Sequence, residues 1–232
     1  MNDKINYERG EKMELIDIVN ENNEFTGQIE EREIAYEKGL WRRTVSCWIM
    51  NEKGEILLQK RSSNKKKNPN KWAKTGGQVD SGESVENAIF REVKEELGIE
   101  IPKNQIKIYD IHKSNDKTKR FSYNFIFKVN YKINEYTLQK EEVSDVKYVT
   151  IEEMELAREK NDSMYTFCFW DKEDFENEIK KLKQIRKEII KKLHTIIKKV
   201  WEFYYDFIKK KKNNIYCIQC IFVNISIYTY KR

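Results

Sequence analysis

Proline is nearly absent from this 232-residue chain: there are two, both at or before Pro102. Glycine is scarce as well, with eight residues, the last of them Gly98. Cysteine numbers four and histidine two, so a disulfide scaffold and a histidine-rich metal site both lack their material. No run of roughly 18 apolar residues offers a membrane span. The opening Met-Asn-Asp-Lys-Ile-Asn has no apolar stretch of the kind that directs secretion. These shortages exclude collagenous, disulfide-rich and membrane-spanning classes and set the expectation of a cytoplasmic protein with reduced thiols. With 39% hydrophobic and 36% charged residues, the chain has ample material for a core and a well-solvated surface.

The formal charge of +6 is unevenly placed. Residues 171–212 hold fourteen Lys/Arg against eight Asp/Glu, and the last twenty residues add two more cations, which leaves residues 1–170 at −2. Turn-forming residues thin out along the same axis. The expected organisation is therefore a compact mixed domain over 1–170, a basic amphipathic helical extension over 171–212, and an apolar segment over 213–232 of unassigned structure.

Within the first part, Leu15–Asn20 reads as a strand, Asn22–Gly27 as a turn and Glu31–Lys38 as a short helix. Thr44–Met50 and Glu55–Arg61 alternate apolar and polar residues around Asn51-Glu52-Lys53-Gly54, a hairpin signal. Arg61–Trp72 is a lysine-rich loop stopped by Pro69. Ser84–Leu97 reads as a helix closed by Gly98. Ile106–Ile111, Phe121–Tyr131 and Val143–Thr150 follow as strands, and Ile151–Lys160 as a helix. Hairpins mixed with crossovers predict an α/β fold, a mixed β-sheet flanked by helices.

The chemistry concentrates between Gly76 and Ile99. At 100° per residue, Val85, Ile89, Val93 and Leu97 form one apolar stripe that must face a sheet. Glu92 and Glu96 project about 20° to either side of Val85's direction, and Glu95 about 60° beyond Glu92, so the carboxylates crowd the flank of the buried face. Two carboxylates ~6 Å apart repel by ~3 kcal/mol at an effective dielectric near 20, so crowding three beside a core is adverse unless cations stand among them. Oxygen ligands of this hardness select Mg²⁺ or Mn²⁺. In the loop expected before the helix, Gly76-Gly77 permits close backbone approach and offers carbonyl oxygens. Glu83 at the helix start supplies a further carboxylate, and Arg91 stands where it can pin one by paired hydrogen bonds.

Gly77, Glu83, Arg91, Glu92, Val93, Glu95, Glu96, Gly98 and Ile99 occupy the fixed places of a Nudix box with its spacing, and the chain resembles the Nudix hydrolase superfamily over about 150 residues. The resemblance implies an α/β/α sandwich that hydrolyses a diphosphate linkage in a nucleoside diphosphate derivative. It implies metal ions held by Glu92, Glu95 and Glu96, with the Gly76 carbonyl and Glu83, and a general base that is either Glu92 or Glu96. Arg91 belongs to the same catalytic set, and Glu141 and Glu142 are alternative bases from a later loop. Arg61 and Glu142 are candidates on the substrate side.

The N-terminal third, with Gly39-Leu-Trp-Arg-Arg-Thr-Val, is similar to the branch that includes isopentenyl diphosphate isomerase. That likeness sets up an isomerase alternative. The isomerases use a cysteine near Gly76-Gly77 and several histidine ligands, where this chain has Thr75-Gly76-Gly77-Gln78 and only His112 and His194. A catalytically inactive Nudix binding module is the third reading.

Other features carry two readings each. Arg61, Lys65–Lys67, Lys71 and Lys74 are either phosphate contacts or a solvated basic loop. Trp72 either stacks on a base or packs against the helix, and His112 reads as a surface residue. Cys217-Ile-Gln-Cys220 lacks two further ligands, so no zinc is expected. From Phe175 to Phe207 apolar residues recur at three- and four-residue steps with a lysine-rich opposite face. Packing back on the domain, pairing into a homodimer, and lying on an anionic membrane or nucleic acid are the three readings of that tail.

Overall fold

The computed structural model describes residues 7–8, 11–105, 107–114 and 118–210. It divides into two compact units, Met1–Lys183 and Gln184–Arg232. In the first, β1 (Tyr7–Glu8) and β2 (Glu11–Lys12) form a two-residue ribbon, and β3 (Leu15–Val19) pairs antiparallel with β4 (Phe25–Glu31). Helix α1 (Arg32–Glu37) follows, and its Ala35 closes a small core with Ile16 and Ile18. The main sheet is built from β5 (Arg42–Met50), β6 (Ile56–Arg61), β7 (Trp72–Ala73) and β8 (Thr75–Gln78), then, after helix α2 (Val85–Leu97), β9 (Ile108–Ser114), β10 (Arg120–Lys128) and β11 (Val143–Val149). Helices α3 (Ile151–Glu159) and α4 (Lys172–Lys210) complete the order; α4 passes from the first unit into the second.

The sheet order is β11-β6-β5-β10-β9, with β7 beside β6 and β8 beside β5. Among the described residues of this sheet, β5 and β10 run parallel and the other strand pairs are antiparallel. The β5–β6 hairpin expected from the sequence forms at its closed end, where Met50 faces Ile56. Beyond that point its arms part. The segment Trp72–Gln78 enters the gap, with β7 along β6 (Gln59 opposite Ala73) and β8 along β5 (Cys47 opposite Thr75). This wedge carries the glycine pair into the sheet directly beneath α2.

Helix α2 starts where Ser84 Oγ accepts the Asn87 N–H at 3.1 Å and stops at Gly98, whose φ of 68° suits glycine. Its Ala88, Ile89, Val93 and Leu97 pack with Val45, Cys47, Ile49, Leu57, Phe125 and Phe127 in one buried cluster. Burying Ile89, Val93 and Leu97 contributes ~2 kcal/mol each. That gain fixes the helix rotation and with it carries Glu96, between Val93 and Leu97, into the interior. On the other side of the sheet, Trp48 lies 6.3 Å from Trp170, and Phe167 stacks on Phe175 of α4 at 5.7 Å. Trp48 Nε1 donates to the buried Glu178 Oε1 of α4 at 2.6 Å. Helices thus cover both faces of a mixed sheet.

Two expectations need correction. The turn placed over Asn22–Gly27 is tighter, running Asn20–Glu24 with Asn23 at φ 67°, and β4 begins at Phe25. Most of β4 is exposed on both faces, so it shows no apolar alternation to read. Gly76-Gly77 lies in a strand rather than a loop. A Cβ on Gly76 would stand 2.3 Å from the Val45 carbonyl oxygen, so the close approach of β8 to β5 requires glycine. Smaller shifts occur at strand ends: the strand expected over Ile106–Ile111 is Ile108–Ser114, and that expected over Phe121–Tyr131 ends at Lys128. The segment 213–232 and the Cys217–Cys220 pair lie outside the described residues.

Candidate active site

Arg91 organises the acidic face of α2. Its Nε and Nη2 donate to the Glu83 carboxylate at 3.0–3.3 Å, Nη1 donates to Glu92 Oε1 at 2.9 Å and to Glu95 Oε2 at 3.3 Å, and Nη2 also reaches the Gln78 carbonyl at 3.0 Å. One guanidinium therefore ties the helix to its entry loop and to the end of β8. Glu83 and Glu92 are mostly buried, whereas Glu95 has 53% of its side chain exposed.

Glu92 packs against the glycine pair. A Cβ on Gly77 would meet Glu92 Oε1 at 2.1 Å, so the carboxylate occupies the space that any other residue at 77 would fill. Burial raises the Glu92 pKa from 4.5 to about 7, against the lowering pull of Arg91. Glu96 is buried, and its pKa rises to about 8 through burial first and the neighbouring Glu92 charge second. Glu142 adds to that rise, while Gln59 and Arg61 oppose it.

Behind Glu96 runs a buried relay. The Thr75 hydroxyl donates to Gln59 Oε1 at 2.9 Å, and Gln59 Nε2 donates to Glu96 Oε2 at 2.9 Å. Because Thr75 occupies the amide oxygen, Gln59 presents its NH₂ to the carboxylate and favours the ionised form. All three side chains are buried. The sequence reading missed Gln59 and Thr75. Their signal was present as polar side chains on inward-facing positions of β6 and β8, and it becomes legible only once the wedge geometry is known. Gln78 Oε1 is also buried, without a hydrogen-bond partner among the described residues.

The substrate-side candidates lie at the edge of this group. Arg61 ends β6 and its Nε donates to the Lys67 carbonyl at 3.0 Å. Glu142 is paired with Lys65, and its carbonyl accepts from the Ser62 N–H at 2.8 Å. Trp72 neither stacks openly nor packs under the helix: it is half-buried on β7, with Lys147 Nζ 4.3 Å and Lys60 Nζ 5.9 Å from its ring centre. Lys74 is drawn away to the opposite face, where it donates to Asn124 Oδ1 at 2.8 Å and stands 3.7 Å from Glu178. His112 is exposed on β9. Cys47 is buried beneath α2, and burial pushes its thiol pKa up, which leaves it unreactive.

The donor chemistry fits a hard divalent cation. Glu92 and Glu96 are two buried, mutually repelling carboxylates beside a glycine strand, and a cation would relieve both upward shifts. Among the described residues no three His, Cys, Asp or Glu side chains already converge on one point. Glu83 and Glu95 are turned to Arg91 and would reach a shared cation only by leaving it.

Comparisons with known proteins show the family. The NUDIX domain pattern matches residues 40–170. An uncharacterized Nudix hydrolase of Listeria monocytogenes is 38% identical over 150 residues, covering 63% of this chain and 85% of the relative. The isopentenyl-diphosphate Delta-isomerase of Salmonella arizonae is 44% identical over 57 residues, 24% of this chain and 31% of the isomerase. The crystal structure of DR0079 from Deinococcus radiodurans superposes with a TM-score of 0.55 at 27% identity, over 66% of this chain and 92% of that one. The pattern spans the sheet, the glycine strand, the Arg91-centred carboxylates and the turn into α4, and on these grounds the chain belongs to the Nudix hydrolase family.

Proposed function

We propose that this protein hydrolyses a diphosphate linkage in a nucleoside diphosphate derivative, with Glu92 and Glu96 at the centre of the reaction. The observation that carries the reading is the buried Glu92–Glu96 pair, both with raised pKa, set against Gly77. Glu92, Glu95 and Glu96, with the Gly76 carbonyl and Glu83, form the oxygen set for Mg²⁺ or Mn²⁺. A divalent cation bound there supplies a lowered water pKa and neutralises charge on the departing phosphate.

The remaining work falls to the chain. Arg91 holds Glu92 and Glu83 on a common anchor, so their carboxylates keep fixed positions relative to β8. Gln59 holds one oxygen of Glu96 and leaves the other free to accept a proton from the attacking water. Arg61 and the lysines of the 62–71 loop place positive charge where the phosphates of a substrate would enter. The family's nucleotide preference supports the substrate class. The isomerase alternative lacks a cysteine at Thr75–Gln78, and the nearby thiol of Cys47 is buried.

A panel of dNTPs, nucleotide sugars, dinucleoside polyphosphates and isopentenyl diphosphate, assayed with Mg²⁺ for phosphate-containing products, tests the proposal. Release from a nucleotide diphosphate that disappears in Glu96→Gln is the expected result. Conversion of isopentenyl diphosphate without phosphate release overturns it.

A further inference from the structure

The second compact unit contains the distal part of α4, residues 184–210, whose sequence holds eight Lys/Arg against three Asp/Glu. On this helix Leu193, Ile196, Ile197, Val200, Phe203 and Tyr204 are exposed, Phe203 by 75% and Val200 by 61%. At 100° per residue they fall within 60° of Val200 on either side, a continuous apolar face ~120° wide. Lys192 and Lys199 line one border of that face, and Lys191 and Lys198 stand at its back. Trp201 and Tyr205 lie toward the other border.

We infer that residues 184–210 form a docking helix for an anionic lipid surface, lying in the plane of the bilayer interface with the Val200 face turned into it. Two kinds of surface chemistry must be met at once. The apolar face calls for hydrocarbon, and the lysines beside it call for negative charge; anionic headgroups above acyl chains offer both. Lysine stems reach up from the border while the ring residues take the headgroup level. Pairing with a second copy gains nothing from charge and leaves the lysines without a partner across the seam. In heptad terms the core positions are Leu193, Ile196, Val200 and Phe203, the positions beside them are Lys192 and Lys199 on one edge and Ile197 and Tyr204 on the other, and no opposite-sign partner is available across the seam. Nucleic acid would satisfy the lysines and leave the apolar face in water. Among the described residues no helix is long and apolar enough to cross a membrane, which accords with an interfacial position.

The test uses the full chain and sedimentation with vesicles of phosphatidylcholine alone or with about one-third phosphatidylglycerol. Binding to the anionic vesicles, at least ~10-fold weaker to neutral ones and in ~0.5 M salt, is expected, because an exposed charge interaction is screened within a few ångströms at that strength. Val200→Glu and, separately, the pair Lys192→Glu with Lys199→Glu each remove vesicle binding, while hydrolysis by the first unit is unchanged. Equal binding to neutral vesicles overturns the inference. So does a dimer in analytical ultracentrifugation that Val200→Glu dissolves without any vesicle binding by the unaltered protein, or preferential capture by duplex DNA.

Discussion

Replacing Glu96 with glutamine should stabilise the metal-free protein at alkaline pH and leave it unstabilised at acid pH. The folded state raises the Glu96 pKa from 4.5 to about 8, so between these values the folded protein holds a proton that the unfolded chain has released. Stability therefore falls as pH rises through that window. A rise of this size corresponds to ~5 kcal/mol at pH 9. Burial is the larger cause of that rise and repulsion from Glu92 the smaller, and water entering on ionisation relaxes part of both, so the substitution recovers ~2–3 kcal/mol, or roughly 5–10 °C in Tm for a domain of this length. Glutamine keeps an oxygen for Gln59 Nε2, so the relay survives the change. The assay is thermal unfolding in EDTA from pH 5 to pH 9, followed by circular dichroism. The unaltered protein should converge with Glu96→Gln near pH 5 and fall behind it by pH 9, and added Mg²⁺ should restore the unaltered protein alone. A Glu96→Gln protein that is less stable at pH 9, or a difference that does not vary with pH, would refute the reasoning.

Two further results follow from the geometry around that carboxylate. Gln59→Leu should weaken Mn²⁺ binding ~10-fold, the usual effect of losing a partner behind a ligand. Thr75→Val, which frees the amide to rotate, should weaken it less, and Thr75→Ser should restore it. An electron paramagnetic resonance titration checks the order, and a larger effect from Thr75→Val than from Gln59→Leu would contradict the relay. The neighbouring glycines should separate function from folding. The atoms nearest a Cβ on Gly77 are those of the Glu92 carboxylate, the end of a side chain that can turn aside by leaving Arg91, so Gly77→Ala should lose activity with a Tm near the original. A Cβ on Gly76 meets the Val45 carbonyl and Ser46 backbone at 2.3–2.6 Å, so Gly76→Ala should lower Tm sharply. Similar Tm losses in both would show that the strand, rather than the carboxylate, fills the space.

The chain's one-dimensional pattern determined the helix that carries the site, because its apolar spacing, its Ser84 start and its Gly98 stop are local features. The same spacing put Glu92 and Glu96 beside the buried face, where the structure has them. It marked the long amphipathic tail for the same reason, since period and charge are read along the chain. The parting of β5 from β6, the entry of Thr75–Gln78 between them, and the polar relay from Thr75 through Gln59 to Glu96 were decided by tertiary structure. Glu95 was also placed beyond the reach of local reasoning: helix spacing sets it near the other carboxylates, but Arg91 and solvent compete for it. Strand partners and rotamers depend on residues distant in sequence, where backbone hydrogen bonding and close packing, rather than periodicity, choose among alternatives of similar local energy.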